Sequence, residues 1–399
     1  METLESALAL LLEHAAPVRE TEEIPLGDAL GRIAAEDVAS PIAVPPFDRS
    51  PLDGYCLHSE DIAGASREHP AVLTVIGEAC AGCGEVFAVE RGQALRVMTG
   101  APVPAGCDCV IRQEDTDEGM EQVRMYASVP HNRNICWTGE DVPLGAVMMH
   151  RGDTITCAHI GVLSSLGVAR VRVYRRVRVA LLSTGDELLQ PGESLSFGKI
   201  YDANRAAITA HLQELGVRAH VLGSAKDEPQ AVAQALAEAA KDADVLVTTG
   251  GVSVGKKDIM HKVLPLMGAE RLFWQVAMKP GSPLLCGVYE GKLLICVSGN
   301  PFAALACFEV FAAPVLRKMA GKAVYENRRL RTTLRGEFGK KSPGRRLIRA
   351  YFDGVQARLV GNNHSSGSLS TVIGCNCLVD IPAGSDALCD GDEVEIILL

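Results

Sequence analysis

The chain has 399 residues, of which 47% are hydrophobic and 22% charged, with a formal net charge of −10. That length exceeds one ordinary core, so two to four domains are expected. The acidic balance argues against general nucleic-acid binding, and no apolar run approaches the ~20 residues of a membrane span.

The start, Met1-Glu2-Thr3-Leu4-Glu5, lacks the basic opening of a secretory signal, and the expected location is the cytoplasm. The 13 cysteines then read as free thiols, mostly small core residues. Cys80-x-x-Cys83 is the one CxxC pair, and a thiol pair in a Gly-rich turn is the favoured reading over a redox or metal site.

Residues 4–18 carry apolar positions at helical spacing, and a second amphipathic stretch follows over 20–40. Pro41-Ile42-Ala43-Val44-Pro45-Pro46 cannot be helix and reads as a crossing between domains. From 55 to 135, short apolar runs broken by Gly and Pro predict a β domain. A helix over 158–166 and a strand over 169–174 follow, and this stretch is expected to rejoin the N-terminal segment. Residues 327–399 again show short strands and turns, a small β-barrel or sandwich. The expected division is 1–45 with 142–176 as a discontinuous linker domain, 46–141 as an inserted β domain, 177–323 as an α/β domain and 324–399 as a C-terminal β domain.

Within 177–318, apolar runs at 177–183, 217–223, 243–249 and 293–297 end in small polar turns, with helical patterns at 203–215, 229–241, 257–264 and 301–319. Alternation of this kind predicts a three-layer α/β/α domain with a mostly parallel sheet. Ligands bind beyond the carboxyl ends of such strands, so the four turns should converge into one acidic pocket. Gly250 to Gly255 followed by Lys256-Lys257 nearly matches a P-loop, but Lys257 stands where Ser or Thr would hold Mg²⁺. A Walker-type NTPase is rejected, and backbone cradling of phosphate by glycines such as Gly250 and Gly251 is retained.

Asp186, Glu187, Asp227 and Asp258 are carboxylates at that sheet end, suited to a phosphate-bound Mg²⁺. Asp227-Glu228-Pro229 reads equally as a helix cap. Lys279-Pro280-Gly281 suits an anion, with a solvated lysine as the ordinary alternative. Asn300 is read either as a cap or as a ligand contact. His261 and His364 have no motif partner and read as structural or exposed, and no G-x-S-x-G elbow supports Ser-His-Asp catalysis.

Together these stretches resemble the molybdopterin molybdenumtransferase family, MoeA and the animal gephyrin E domain, over essentially the whole chain. The resemblance is carried by Pro46-Phe47-Asp48 through Asp53-Gly54-Tyr55, by Met98-Thr99-Gly100-Ala101-Pro102-Val103-Pro104, and by Gly139-Glu140-Asp141. It continues in Ser183-Thr184-Gly185-Asp186-Glu187-Leu188, Ile200-Tyr201-Asp202-Ala203-Asn204-Arg205, Gly250-Gly251-Val252-Ser253-Val254-Gly255 with Asp258, Lys279-Pro280-Gly281 and Gly299-Asn300-Pro301. It implies insertion of molybdate into the dithiolene of adenylylated molybdopterin, with release of AMP. It also implies a MogA-like central domain, Mg²⁺ dependence, and a homodimer whose active site is shared between subunits.

By position, the resemblance assigns catalysis to Asp53 and Asp141. It assigns substrate binding to Thr99, Gly185, Asp186, Glu187, Asp202, Asn204, Asp227, Gly250, Gly251, Ser253, Lys279, Gly299, Asn300 and Pro301. Asp258 with Glu187 would hold the metal, and Arg349 with Ser366 the pterin. The alternatives are a tungstate-preferring paralogue, a molybdopterin adenylyltransferase, or a non-catalytic cofactor-binding paralogue. A molybdopterin adenylyltransferase and molybdoenzyme apoproteins are the further partners implied.

The chain departs from the family pattern at three places, two of them where basic residues are expected. Cys136-Trp137-Thr138 precedes Gly139, Ser282 replaces the second lysine of Lys-Pro-Gly-Lys-Pro, and Val297-Ser298 replaces Leu-Pro. These departures bear on affinity and oxyanion choice rather than on fold.

Overall fold

The computed structural model describes residues 1–82, 84–252, 259–361 and 364–399. At its centre is a six-stranded sheet ordered Arg218–Ala225, Arg178–Thr184, Val245–Thr249, Lys292–Val297, Leu285–Tyr289, Glu270–Trp274. The first four strands are parallel and the last two antiparallel. Strand side chains alternate between faces, and both faces here are covered. Val179 and Leu181 join one core with Ile208 and Leu212 of the helix Ala203–Glu214 and with the segment Pro301–Met319. Ala180 and Leu182 join the other, with Val232 and Leu236 of Pro229–Ala240 and Met260 and Val263 of Met260–Met267. The pattern read at 301–319 as one helix is interrupted by a π-turn, Phe308–Ala312.

One boundary needs correction. The helix Leu4–Glu13, capped by Thr3, places Leu4, Ala7 and Leu11 in the α/β core rather than in an N-terminal domain. Its amphipathic stripe gave no sign of which core it would cover. The linker unit runs from about residue 21: Thr21–Pro25 pairs with Arg170–Tyr174, and Val38–Ala39 with Val147–Met149. Leu26, Ala34, Met149, Leu163 and Val173 share its core.

The inserted domain is a five-stranded sheet ordered Cys109–Arg112, Gly54–Leu57, Gln93–Val97, Ala71–Ala79, Gln122–Met125. Gly54 lies in its middle, where a Cβ would fall 1.9 Å from the carbonyl oxygen of Ile111. The C-terminal strands Arg345–Phe352, Gln356–Leu359, Arg329–Arg335, Glu393–Leu398 and Cys377–Ile381 close on themselves into a barrel. A two-residue strand from the α/β domain, Met278–Lys279, pairs in parallel with Arg345–Phe352 and so extends this barrel.

Among the described residues the cysteines are free thiols, and no helix is long and apolar enough to cross a membrane. Cys83, and with it the CxxC reading, lies outside the described residues.

Gly54→Ala has no side chain to displace, only backbone, so it should destabilise the inserted domain by about 2 kcal/mol or more. Thermal melting would show this, and an unchanged midpoint would contradict the packing. Asp380 is buried on the barrel, where burial pushes its carboxyl up but hydrogen bonds from Arg345 and Arg329 outweigh this and hold it below the usual range. A depressed folded value means stability that is present above the unfolded value of ~3.9 and lost as pH falls through the folded one. Asp380→Asn should therefore cost about 3 kcal/mol at pH 7, and the gap from wild type should close below about pH 4 in denaturation curves.

Candidate active site

Thr184, Thr249 and Val297 end three neighbouring parallel strands, so the loops that follow meet above one edge of the sheet. The chain order reverses about Arg178–Thr184, which opens a crevice there. A cleft of about 460 Å³ occupies it, lined by Gly185, Glu187, Asp202, Asn204, Asp227, Gly250, Gly251, Gly299, Asn300 and Pro301 among others. Gly250 has φ of 93°, and a Cβ would fall 2.3 Å from the carbonyl oxygen of Thr184. Glycine is what lets this turn lie against the neighbouring strand end. Asn204 donates from Nδ2 to Thr249 Oγ1 at 2.9 Å and to the Gly299 carbonyl at 2.8 Å, tying three loops together. Asp202 accepts from the Arg205 N–H at 3.1 Å and caps its helix.

The described lining of this cleft contains three carboxylates, Glu187, Asp202 and Asp227, and no Lys or Arg. A second compartment of about 540 Å³ shares Pro283, Ser298 and Asn300 with the first. Its described lining has the opposite character: Lys279, Lys340 and Arg346, with Ser282, Ser365, Ser366 and His364, and no carboxylate. The expected single acidic pocket is therefore two joined compartments, acidic on the α/β side and basic where the barrel forms the wall.

His364, read as structural or exposed, is a half-buried part of that wall and packs edge-on against Phe338 at 5.6 Å. Burial, then Arg349, Lys340 and Arg346, push its imidazole below the ordinary range, so it is neutral. Arg349 is fully buried under the same wall. It donates to the carbonyls of Ser368 and Ser365 and lies 4.1 Å from the ring centroid of Phe302. The Phe302 N–H in turn donates to the Ser366 carbonyl at 3.0 Å. Arg349 thus holds the 365–368 loop against the helix Pro301–Cys307.

Two open readings narrow. The N-cap of Pro229–Ala240 is Glu228, not Asp227, and Asp227 lines the cleft. Asn300 stands at the N-cap of Pro301–Cys307 but makes no side-chain capping bond. Asp186 is not in either lining; its carboxylate accepts from the Asp227 N–H at 3.3 Å and steadies that loop. Ser253 and Asp258 lie outside the described residues.

Asp53, Thr99 and Asp141 lie on loops of the inserted domain, outside both linings. Asp53 Oδ1 accepts from the Thr99 N–H at 2.7 Å and hydroxyl at 2.8 Å, and these bonds hold its carboxyl below the usual range. Asp141 donates its N–H to the Val44 carbonyl at 3.1 Å. Bonds from Ser50 to Ala101 and Arg49 to Cys136 join the three loops. Asp48, which sequence reasoning did not assign, repeats the motif by accepting from the N–H and hydroxyl of Thr138. None of these aspartates lines either compartment of its own chain. Lys340 and Arg346 were also missed, since no local motif marks them.

Among the described residues no three His, Cys, Asp or Glu side chains are grouped to hold a metal ion by themselves. Asp202 Oδ2 is buried without a hydrogen bond, its one charged neighbour among the described residues being Arg205 Nε at 3.4 Å, and the cleft's carboxylates are hard oxygen donors. That set fits a Mg²⁺ whose shell is completed by substrate phosphates.

The chain matches three family models in order: MoeA N-terminal region (domain I and II) over residues 2–167, probable molybdopterin binding domain over 180–318, and MoeA C-terminal region (domain IV) over 331–399. It is 33% identical over 378 residues to a molybdopterin molybdenumtransferase of Staphylococcus epidermidis, and 35% identical to one of Staphylococcus aureus. Each comparison covers 94% of this chain and 90% of the relative. A molybdopterin biosynthesis MoeA protein from Pyrococcus horikoshii superposes with a TM-score of 0.86 at 31% identity, covering 99% of this chain and 98% of the other. The chain therefore belongs to the MoeA family of molybdopterin molybdenumtransferases.

Proposed function

We propose that the protein is a molybdenumtransferase of cofactor biosynthesis. It inserts molybdate into the dithiolene of adenylylated molybdopterin and cleaves the phosphoanhydride, releasing AMP and molybdenum cofactor. The observation that carries this reading is the pair of joined compartments with opposite charge. A substrate with a phosphoanhydride at one end and an oxyanion-accepting dithiolene further along needs two such environments side by side.

In the acidic compartment, the Gly250-Gly251 turn and the amide of Asn300 offer hydrogen bonds to the nucleotide end, while Asn204 fixes the loops that carry them. Phosphates cannot sit uncompensated among Glu187, Asp202 and Asp227: like charges 4 Å apart repel by about 4 kcal/mol at an effective dielectric near 20. Mg²⁺ held by Glu187 together with Asp258, as the resemblance implies, would neutralise that charge when bound. In the basic compartment Lys279 attracts the molybdate dianion. Exchange of one oxo group for two sulfurs releases one water, whose hydrogens come from the two thiols. Cleavage of the anhydride takes one water up.

Asp53, kept ionised by Thr99, and Asp141 suit roles as proton acceptors or orienters of water and oxyanion. Because neither lines the cleft of its own chain, they act on the cleft of a second copy in a homodimer. Such sharing requires an isologous contact in which each chain lends its inserted domain to the other.

Purified protein given adenylylated molybdopterin, Mg²⁺ and molybdate should release AMP, and a chelator should reduce release to background until Mg²⁺ is restored. No release from the complete mixture would overturn the proposal. Asp53→Asn and Lys279→Gln proteins should each lose about 10²-fold in rate. After subunit exchange their mixture should regain activity, because a mixed dimer contains one site with neither change. Failure to recover in verified mixed dimers would contradict site sharing.

A further inference from the structure

If the protein inserts molybdate as proposed, its basic compartment sets two like charges side by side. Lys279 and Arg346 are direct register partners where Met278–Lys279 pairs with Arg345–Phe352. Like charges placed opposite each other on a sheet are destabilising, yet both residues line the same compartment. Lys340 adds a third positive charge from the loop before that strand. Among the described residues none of the three forms an ion pair, and the lining supplies no carboxylate, in a chain whose net charge is −10.

Arg346 is also aimed. Its guanidinium lies 5.5 Å from the centroid of Phe338, another lining residue, and its Nε is buried with no hydrogen-bond partner among the described residues. A cation–π contact of this kind holds the guanidinium beside the ring while leaving its outer N–H groups for an oxyanion. Ser282, on the loop beside Lys279, contributes a hydroxyl and no charge. Arg349 is turned to the Ser365 and Ser368 carbonyls under the wall.

We propose that Arg346, assisted by Lys340, is the second cationic contact of the oxyanion substrate, supplied by the barrel across from Lys279 because the α/β loop is neutral at Ser282. The oxyanion then bridges two domains, and its double negative charge is what relieves the repulsion between Lys279 and Arg346. A dianion is selected over a monoanion for that reason.

The test uses the full-length protein with two readouts: equilibrium dialysis against molybdate alone, and the molybdate dependence of AMP release. Arg346→Gln should weaken molybdate binding and raise the molybdate KM by at least tenfold, and Lys340→Gln by a smaller factor. The KM for adenylylated molybdopterin should change less than twofold in both. Adding Ser282→Lys to Arg346→Gln should restore most of the molybdate affinity, because it returns a charge to the compartment from the other wall. Arg335→Gln, on the neighbouring groove, should leave all values at wild type.

Wild-type molybdate affinity in folded Arg346→Gln would overturn the proposal, and so would loss that Ser282→Lys does not repair. An equal loss in Arg335→Gln would overturn it too, by assigning the effect to surface charge in general. Dialysis separates this inference from the enzymatic reading. If no variant or wild type releases AMP but the molybdate pattern holds, the reaction is wrong and the oxyanion site stands.

Discussion

The two-residue ladder between Met278–Lys279 and Arg345–Phe352 is the constraint on which the site depends. It fastens a loop of the α/β domain onto the barrel, so the space beyond the parallel strands acquires a second wall. Among the described lining residues the α/β domain supplies Glu187, Asp202 and Asp227 on one side of the cleft and Lys279 as its one cation on the other. The barrel brings Lys340 and Arg346 beside Lys279. Opposite charges are thereby held in two adjoining compartments instead of being neutralised against each other. Pro283, Ser298 and Asn300, common to both compartments, mark the junction.

Buried groups that do not face the ligand give this junction its shape. Arg349 spends its hydrogen bonds on the 365–368 loop and its charge on the face of Phe302. Asn204 holds Thr249 and Gly299 in place from below the acidic compartment. Residues of this kind fix loop positions that backbone propensity alone leaves open. The paired Asp–Thr bonds of the inserted domain, Asp53 with Thr99 and Asp48 with Thr138, do the same for its loops.

Much of the fold was legible because its signals are local. Val179 to Leu182 and Val245 to Val247 are apolar on both faces, as a covered parallel strand requires. The turns after them carried the glycine and acid signature, and Gly250 proved to need its missing Cβ. What could not be read was non-local. The stripe of Leu4, Ala7 and Leu11 shows a buried face but not its partner. Arg346 sits in an ordinary strand pattern, and only the register with Lys279 makes it part of a site. The choice of Asp227 between cap and cleft depended on whether the helix began at Glu228, a one-residue difference that local preference does not resolve.

In the proposed arrangement nucleotide and oxyanion occupy different, oppositely charged compartments. A crystal structure of the protein with AMP and tungstate, using the anomalous signal of tungsten, tests this most directly. AMP is expected against Glu187, Asp202 and Gly250, and the tungsten peak between Lys279 and Arg346. A tungsten peak among the carboxylates, or on the loops of Asp53 and Asp141 far from Lys279 of either copy, would contradict it.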